Sequence, residues 1–432
     1  MSTKISLGAA LTFMIIIAAI TYSITMVYSM RRYNDMLYNI TERENMYKKL
    51  AEIDKYAHLN YIGVIDEEKL MDNLAEGYIN GIGDPYGVYL DAKKYSLLND
   101  IATGKRVDIG AVVTTDPSTG YMLVKEVYPD SPAAAGEIAE GNLIVSINDE
   151  KITAANFNEM HEKLSGDVGT IITVVVRNNN EDKTIELTRK YVTVPSVYSR
   201  VYGDKMGVIR IKEFNTNTSD QFNRALETLI QQGVKGFVFD LRDNPGGNMD
   251  AALKTIDRLL PAGVIATSTD KYNATKVLAE SDARQLEMPM MVVINGKTAS
   301  AAELFAQALV DYGKGRVVGT TSLGKGFMQT MIRLDDGSAI DMTVAKFNPP
   351  ISPNFDKAGI TPEFVVALPE GVDRAELDDE TDPQLQMAFG VLGEWMGEFY
   401  PPEAETQAPA QTEVLEPATE ATSAEGETTA AS

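Results

Sequence analysis

The chain contains no cysteine and only two histidines in 432 residues. The absence of cysteine excludes disulfide bonds, thiolate nucleophiles and cysteine-based metal sites. With only two histidines, a histidine-rich metal centre is excluded as well, and we expect neither a metal nor another cofactor. His58 and His161 lie in segments that we interpret as accessory helices. Unless one of them folds back onto a distant site, a serine nucleophile in this chain would need a lysine or a carboxylate as its base.

Positive charge is also scarce. Lysine and arginine together number 39 against 62 aspartates and glutamates, which gives a formal net charge of -23 and a pI of about 4.6. A chain this acidic repels a phosphate backbone, so nucleic acid is not expected as a partner. The length suggests about three domains of ~150 residues each, enough to bury a large core.

One long apolar run lies near the N-terminus. It extends from Ile5 to Tyr28 and contains no charged side chain. As a helix it would span ~36 Å at ~1.5 Å per residue, enough to cross a hydrocarbon core of ~30 Å. A cleaved signal peptide is the alternative, but its apolar core is normally shorter, and no clean Ala-x-Ala site precedes Arg31. We predict an uncleaved single-pass membrane anchor, whose orientation the basic residues on both sides leave open.

Two helices are predicted after the anchor. Residues 31–60 carry apolar residues at helical spacing, namely Tyr33, Leu37, Ile40, Tyr47 and Leu50. This helix either pairs with a second copy of the chain, which would make a homodimer, or packs on its own catalytic domain. A second helix starts at the cap candidate Asp66 and ends near the Gly81–Pro85 cluster.

From about residue 103 to 190 the pattern changes to short strands and turns. The predicted strands are Val107–Val113, Tyr121–Val127, Asn142–Asn148 and Thr170–Arg177, with a helix from about Ala155 to Leu164. This order resembles a PDZ domain of the bacterial protease type. In such domains a loop offers backbone N–H groups to a peptide's terminal carboxylate, and the peptide adds to the sheet edge. By resemblance the loop is Asp108, Ile109, Gly110 and Ala111; the alternative is an ordinary β-rich domain with a glycine bulge.

Strand and helix patterns alternate from Val192 to about Tyr400, which indicates an α/β domain. The predicted elements include strands at Met206–Ile211 and Gly236–Arg242 and helices at Ser219–Gln232 and Met249–Leu260. After Pro401 the composition is dominated by Pro, Ala, Thr, Ser and Glu without aromatic residues. Such a tail cannot bury enough apolar surface to order itself, so we predict that it is disordered.

Ser300 lies at a predicted strand-to-helix junction. The buried strand Met290–Ile294 is broken by Asn295-Gly296, and helical spacing begins at Ala301. Free N–H groups and the positive end of the helix dipole meet there and can stabilise an oxyanion. The ordinary alternative is a helix cap, because Ser300 and Glu303 form the sequence pattern of a capping box.

Two other loops carry candidate chemistry. Asn244-Pro-Gly-Gly247 also lies between a strand and a helix, and its paired glycines leave backbone N–H groups unobstructed. In the loop Gly319–Gln329, Lys325 is flanked by glycine on both sides. A lysine can act as a general base if burial disfavours its charged form, and Gln329 can orient its amine without adding charge. An exposed loop lysine and a simple Pro-Gly turn are the alternatives.

The lysine loop also comes close to a phosphate-binding P-loop. That motif needs Ser or Thr after the lysine to hold magnesium, and here the residue is Gly326. A helix should then follow, but Phe327 to Leu334 has the pattern of a strand. Nucleotide hydrolysis is therefore a weaker interpretation than serine chemistry.

Together the three loops resemble the C-terminal processing peptidases, also called tail-specific proteases. The matching segments are Asp84–Leu90, Leu241–Gly247, Asn295–Glu303, Gly324–Gln329 and Gly359–Glu363. The resemblance covers about residues 60 to 395 in the family's order. Two residues depart from the usual pattern, Asn142 and Glu363, where the family usually has Asp. Neither departure falls on Ser300 or Lys325, so the implied chemistry is unaffected.

The resemblance implies a serine–lysine dyad of Ser300 and Lys325 supported by Gln329, with backbone N–H groups of Gly246 and Ala301 as the oxyanion hole. Together with the anchor predicted from the apolar run, it leads us to expect a membrane-anchored serine endopeptidase of the bacterial plasma membrane with an extracytoplasmic catalytic part. It would cleave proteins near their free C-termini after the PDZ domain recognises them. The alternative is a non-catalytic PDZ scaffold that binds such tails without cleaving them.

The expected fold is an α/β (α+β) protease domain with crotonase-like β/α units, an inserted PDZ domain, N-terminal helices and one transmembrane helix. The expected boundaries are 1–30 for the cytoplasmic end and anchor, 31–102 for the helical region, 103–190 for the PDZ domain, 191–400 for the peptidase domain and 401–432 for the acidic tail.

Overall fold

The computed structural model describes residues 7–399 except residue 373. The predicted disordered tail, 401–432, therefore lies outside the described residues. The chain divides into two compact units, Met1–Ile82 and Gly83–Ser432.

The first unit consists of two helices, α1 (Leu7–Asn60) and α2 (Glu67–Ile82). Within α1, Thr12–Met30 is long and apolar enough to cross a membrane, with a mean hydropathy of 1.8 and no part of it buried. A signal sequence near the N-terminus would have the same length and composition. The predicted start of the second helix is confirmed, because the Asp66 carboxylate accepts the Lys69 N–H at 3.1 Å.

The second unit begins with β1 (Val88–Leu90) and α3 (Ala92–Ala102), which precede the PDZ region. The PDZ elements are β2 (Lys105–Asp108), β3 (Ala111–Thr115), β4 (Met122–Val127), α4 (Pro132–Ala135), β5 (Leu143–Ile147), β6 (Glu150–Lys151), α5 (Phe157–Glu162), β7 (Ile171–Asn178), β8 (Glu181–Thr188) and β9 (Lys190–Thr193). Their main sheet has the order β3-β4-β5-β7-β8, while β2 pairs with β9. Alternate residues along these strands, such as Ile172 and Val174, fill the core together with Met160 from α5.

The predicted continuous strand from Val107 to Val113 is wrong. The chain breaks at Gly110, whose φ of 79° is left-handed, so the segment divides into β2 and β3. A side chain at Gly110 would also collide with Ser131, because an added Cβ would lie 2.2 Å from its Cβ. The break lets β2 and β3 pair with different strands, and β3 becomes the edge of the main PDZ sheet.

The peptidase region alternates strands and helices after the PDZ region. Its elements are β10 (Val197–Tyr202), β11 (Met206–Ile211), α6 (Thr218–Gln231), β12 (Gly236–Asp240), α7 (Met249–Asp257), β13 (Gly263–Asp270), β14 (Thr275–Ser281), β15 (Met290–Ile294), α8 (Ala301–Asp311), β16 (Gly315–Gly319), β17 (Phe327–Arg333), β18 (Ala339–Asn348), β19 (Phe364–Val365), a 3-10 turn (Arg374–Glu376) and α9 (Pro383–Phe399).

Two sheets make up this region. One has the order β10-β11-β12-β15-β16-β19, and all its pairs are parallel except β10 with β11. The other has the order β1-β18-β13-β14, with β17 paired to β18, and its pairs are antiparallel. Because β1 precedes the PDZ region and pairs with β18 after it, the PDZ region is inserted into the peptidase fold.

Strand β15 lies in the middle of the parallel sheet and is buried on both faces. Met290, Val292 and Ile294 pack into the larger core, which includes residues of α6, α7 and α8, whereas Met291 and Val293 pack against α9. The continuous apolar run in the sequence reflects this double burial. Because β12 and β15 are parallel neighbours, their C-terminal ends bring the Asn244 and Ser300 loops to the same edge of the sheet.

Candidate active site

Ser300 occupies a constrained position at the start of α8. Its φ of 54° and ψ of -117° are unusual for a residue with a side chain, and such conformations persist only where the surroundings hold them. The preceding residue is tied to the neighbouring loop, because Ala299 N–H donates to the Asn244 carbonyl at 2.9 Å. Ser300 N–H itself donates to Glu303 Oε2 at 2.7 Å. The capping-box pattern is therefore present, but on a backbone that an ordinary N-cap does not adopt.

Glu303 connects the serine loop to the lysine loop. Its side chain is fully buried, and its carboxylate accepts four hydrogen bonds. The donors are Ser300 N–H (2.7 Å), Ser322 Oγ–H (2.5 Å), Gly324 N–H (2.6 Å) and Lys325 N–H (2.9 Å). A buried carboxylate without partners would be costly, and these donors supply the compensation. Sequence reasoning recognised Glu303 only as a capping residue, since its contacts beyond residue 320 have no local signal.

Lys325 and Gln329 are in direct contact. Lys325 Nζ donates to Gln329 Oε1 at 2.5 Å, and Gln329 Nε2 donates to the Tyr86 carbonyl at 2.6 Å. The ring of Tyr86 also covers the lysine, with its centroid 5.1 Å from Nζ. The amine is thus held by an uncharged amide and screened on one side by an aromatic ring.

Ser300, Lys325 and Gln329 line one cavity of about 560 Å³. Most of the remaining lining is apolar and includes Leu98, Ile101, Phe214, Met249, Phe327, Met328 and Met331. Asp341 also faces this cavity, and burial raises the pKa of its carboxyl. A nucleophile candidate and a base candidate therefore open onto a shared, largely apolar cleft of the kind that binds a ligand.

Comparison with known proteins identifies the family. The profile of Peptidase family S41 matches residues 205–366, and that of the PDZ domain matches residues 123–178. The chain is 32% identical over 339 residues to a carboxy-terminal-processing protease of Bartonella bacilliformis, covering 76% of this chain and 77% of that one. The chain belongs to peptidase family S41.

A second curated relative agrees with this assignment. One solved structure is also similar to this chain. The chain is 30% identical over 330 residues to the carboxy-terminal processing protease CtpA of Bacillus subtilis, covering 76% of this chain and 70% of the relative. A solved photosystem II D1 C-terminal processing protease is 25% identical, covering 73% of this chain and 85% of that one, with a TM-score of 0.44. On the sequence relationship, the chain is a serine peptidase of the carboxy-terminal-processing type with a PDZ domain.

The segment before the PDZ region contributes to the candidate site. The Asp84 carboxylate accepts the Thr343 N–H (2.8 Å), the Thr343 hydroxyl (2.9 Å) and the Tyr86 N–H (3.0 Å), which anchors Tyr86 to β18. Burial raises the pKa of the Asp84 carboxyl, but these hydrogen bonds outweigh it and leave the pKa below its usual value. Sequence reasoning noted the segment only as a family motif and gave its residues no role.

The glycine turn lies directly against the serine. A Cβ on Gly246 would be 2.8 Å from the Ala299 carbonyl and 2.9 Å from Ser300 Cβ, so only glycine allows this approach. Gly246 N–H donates to Asn244 Oδ1 at 2.8 Å, so this implied oxyanion donor already has a partner. Ala301 follows Ser300 as the first residue of α8, where backbone N–H groups point out of the helix end.

The remaining sequence candidates lie elsewhere. Asp108, Ile109, Gly110 and Ala111 are in the PDZ region, where Ile109 is fully buried in the core. His161 stacks on Phe157 with ring centroids 6.1 Å apart. It is not among the described residues that line the serine cavity.

Proposed function

We propose that this S41 peptidase is a membrane-anchored serine endopeptidase whose Ser300–Lys325 dyad cleaves extracytoplasmic proteins near their C-termini. The observation that carries the proposal is the cavity shared by Ser300, Lys325 and Gln329, with Glu303 bonded to both loops. The two relatives described above are carboxy-terminal-processing proteases, which supports the same substrate class here.

In the proposed reaction, the neutral amine of Lys325 takes the proton from Ser300 Oγ as that oxygen attacks the scissile carbonyl. The oxyanion of the tetrahedral intermediate accepts N–H bonds from Gly246 and Ala301. Lys325 then protonates the leaving amine, and a water molecule hydrolyses the acyl-enzyme with Lys325 again as base. Gln329 holds the amine through its carbonyl oxygen without adding a charge that would favour the ammonium form.

Gly246 must exchange its partner during this reaction. Its N–H donates to the neutral amide oxygen of Asn244 in the free protein. An oxyanion is the stronger acceptor, since hydrogen bonds to an ionised group are about twice as strong as neutral ones. We therefore expect the Asn244 bond to give way as negative charge develops.

The proposal predicts specific changes in protein C-termini. Cells carrying Ser300→Ala should accumulate extracytoplasmic proteins with longer C-termini than cells carrying the unchanged chain. Quantitative mass spectrometry of terminal peptides measures this, with Ser352→Ala, another partly buried serine, as the matched control. Identical C-termini in the Ser300→Ala and unchanged strains would contradict the proposed substrate class.

The first unit supplies the proposed anchor and a proposed self-association surface. Thr12–Met30 would span the bacterial plasma membrane once, and the crotonase-like β/α units, proposed on the parallel order of β11, β12, β15 and β16, would lie outside it. On α1, large apolar side chains such as Tyr47, Leu50 and Ile53 are exposed in the single chain. A second copy would cover them.

Self-association is expected to depend on residues 31–60. The detergent-solubilised chain should sediment as a dimer, and a chain with 31–60 deleted should sediment as a monomer. A variant with Lys48 and Lys55 on the same helix replaced by Ala is the control, because it keeps the apolar side chains. Monomeric masses for all three proteins would remove the homodimer from the proposal.

A further inference from the structure

Asp108 lies in the loop that would receive a peptide's terminal carboxylate, yet its own carboxylate is bound there. The residue is 3% exposed. Its Oδ1 accepts the Gly110 N–H at 2.8 Å. Its Oδ2 accepts the Ser165 hydroxyl at 2.9 Å and forms an ion pair with Arg106 Nε at 2.9 Å.

These three donors form a carboxylate-binding set. A backbone N–H of the loop, a hydroxyl and a guanidinium are the groups that bind a carboxylate strongly, because each hydrogen bond is charge-assisted. All three are directed at a group chemically equivalent to a peptide's C-terminus. A second carboxylate brought to the same donors would meet the negative charge of Asp108 and find the Gly110 N–H already in use.

Space for a chain end exists beside this cluster. Arg106 and Ser165 line a cavity of about 850 Å³, whose walls also include Val107, Tyr128 and Val168. Strand β3, which follows the loop, is the edge strand of the PDZ sheet and can accept an added strand. Arg106 is partly exposed, at 45% of its side chain, so the guanidinium can reach a ligand without leaving its position.

We propose that Asp108 is a specificity-determining residue of the PDZ domain that competes with the ligand's terminal carboxylate for Gly110, Ser165 and Arg106. A free C-terminus binds there only by displacing the Asp108 side chain. The inference rests on the proposed function only in taking the ligand to be a substrate's C-terminal end. It follows that the PDZ domain of this chain discriminates weakly between a free C-terminus and an uncharged chain end.

The test is a binding experiment that does not depend on cleavage. The full chain with Ser300→Ala is titrated with two fluorescent peptides of one sequence ending in valine, one as the free acid and one as the amide. The same titrations follow with Asp108→Ala and Asp108→Asn added. Asp167→Asn is the matched control, because Asp167 is an exposed aspartate that lines the same cavity. Any effect of lowering the net charge alone would appear in this control as well.

We expect Asp108→Ala to raise affinity for the acid at least about tenfold, because a like charge and a competing acceptor are removed. Affinity for the amide should stay within about twofold, and Asp167→Asn should change neither. Adding Arg106→Ala to Asp108→Ala should abolish the gain, since it removes the shared cation. Asp108→Asn should also raise the affinity for the acid relative to the amide. This second variant keeps the test valid if the alanine variant is unfolded.

Several results would overturn the inference. If both Asp108 variants bind the free-acid peptide with unchanged affinity, Asp108 only stabilises the loop. The same conclusion follows if the affinities for the acid and the amide peptide rise equally. An unmodified Asp108 protein that already binds the acid at least about tenfold more tightly than the amide would also refute it. If the unchanged chain shows no peptidase activity, the proposed function is contradicted. The binding results still test the role of Asp108, because they do not depend on cleavage.

Discussion

Replacing Lys325 by Ala is expected to lower kcat for peptide hydrolysis by about 10⁴-fold or more, with a much smaller change in KM. The reason is that Lys325 is the proposed base for Ser300, and Gln329, its hydrogen-bond partner, cannot accept a proton in its place. In the proposed function the peptide binds against the apolar walls of the cavity, which the substitution leaves intact. Initial rates with a quenched fluorescent peptide, measured over a range of concentrations, separate kcat from KM.

Lys346→Ala is the matched control for this prediction. Lys346 is an exposed lysine on β18 whose Nζ lies 5.7 Å from the Phe327 ring centroid, close to the cavity but outside its lining. Its loss should leave kcat within a factor of about two. Ser300→Ala should be as inactive as Lys325→Ala, and the double variant no worse, because residues that act as one unit are not additive. Hydrolysis at an undiminished rate by Lys325→Ala would exclude the dyad.

The parts of the site that could be predicted have local sequence signals. Strand β15 was predicted to the residue at Met290–Ile294, since a short apolar run followed by Asn-Gly is typical of a buried strand that ends in a turn. The same holds for β11 at Met206–Ile211. Since Ser300 follows β15 directly, its position at a strand-to-helix junction was confirmed as well. Periodicity and turn residues suffice where every cause lies within about ten positions.

The parts that could not be predicted depend on contacts between distant segments. Gln329 donates to the carbonyl of Tyr86, 243 residues earlier, and Asp84 accepts from Thr343, 259 residues later. Neither pairing leaves a periodic or compositional trace, because the two partners lie in widely separated segments of the chain. The division of the predicted strand at Gly110 has a related cause: two partner strands compete for one segment, and pattern alone does not show which wins.

Glu303 shows how a residue with a local explanation can carry a long-range role, and its replacement tests that role. Glu303→Gln should lower kcat by about 10²-fold or more, with a smaller change in KM. A glutamine offers one accepting oxygen and one NH₂ group in place of two accepting oxygens. If the NH₂ takes the place of Oε2, it faces the N–H groups of Ser300 and Lys325. If it takes the place of Oε1, it faces the donors Ser322 and Gly324, and the lysine loop moves.

Glu363→Gln makes the same chemical change in an exposed pair, where Arg316 donates twice to the carboxylate, and should leave kcat within about a factor of two. Thermal melting of both variants separates a displaced dyad from a destabilised fold. If the Glu303→Gln protein is folded and its kcat is low, we infer that Ser300 and Lys325 are displaced. Full activity in that folded variant would show that the Ser300 and Lys325 loops hold their geometry without the shared carboxylate. In that case the strained Ser300 backbone, at φ 54°, would have to be maintained by the Ala299–Asn244 hydrogen bond and core packing alone.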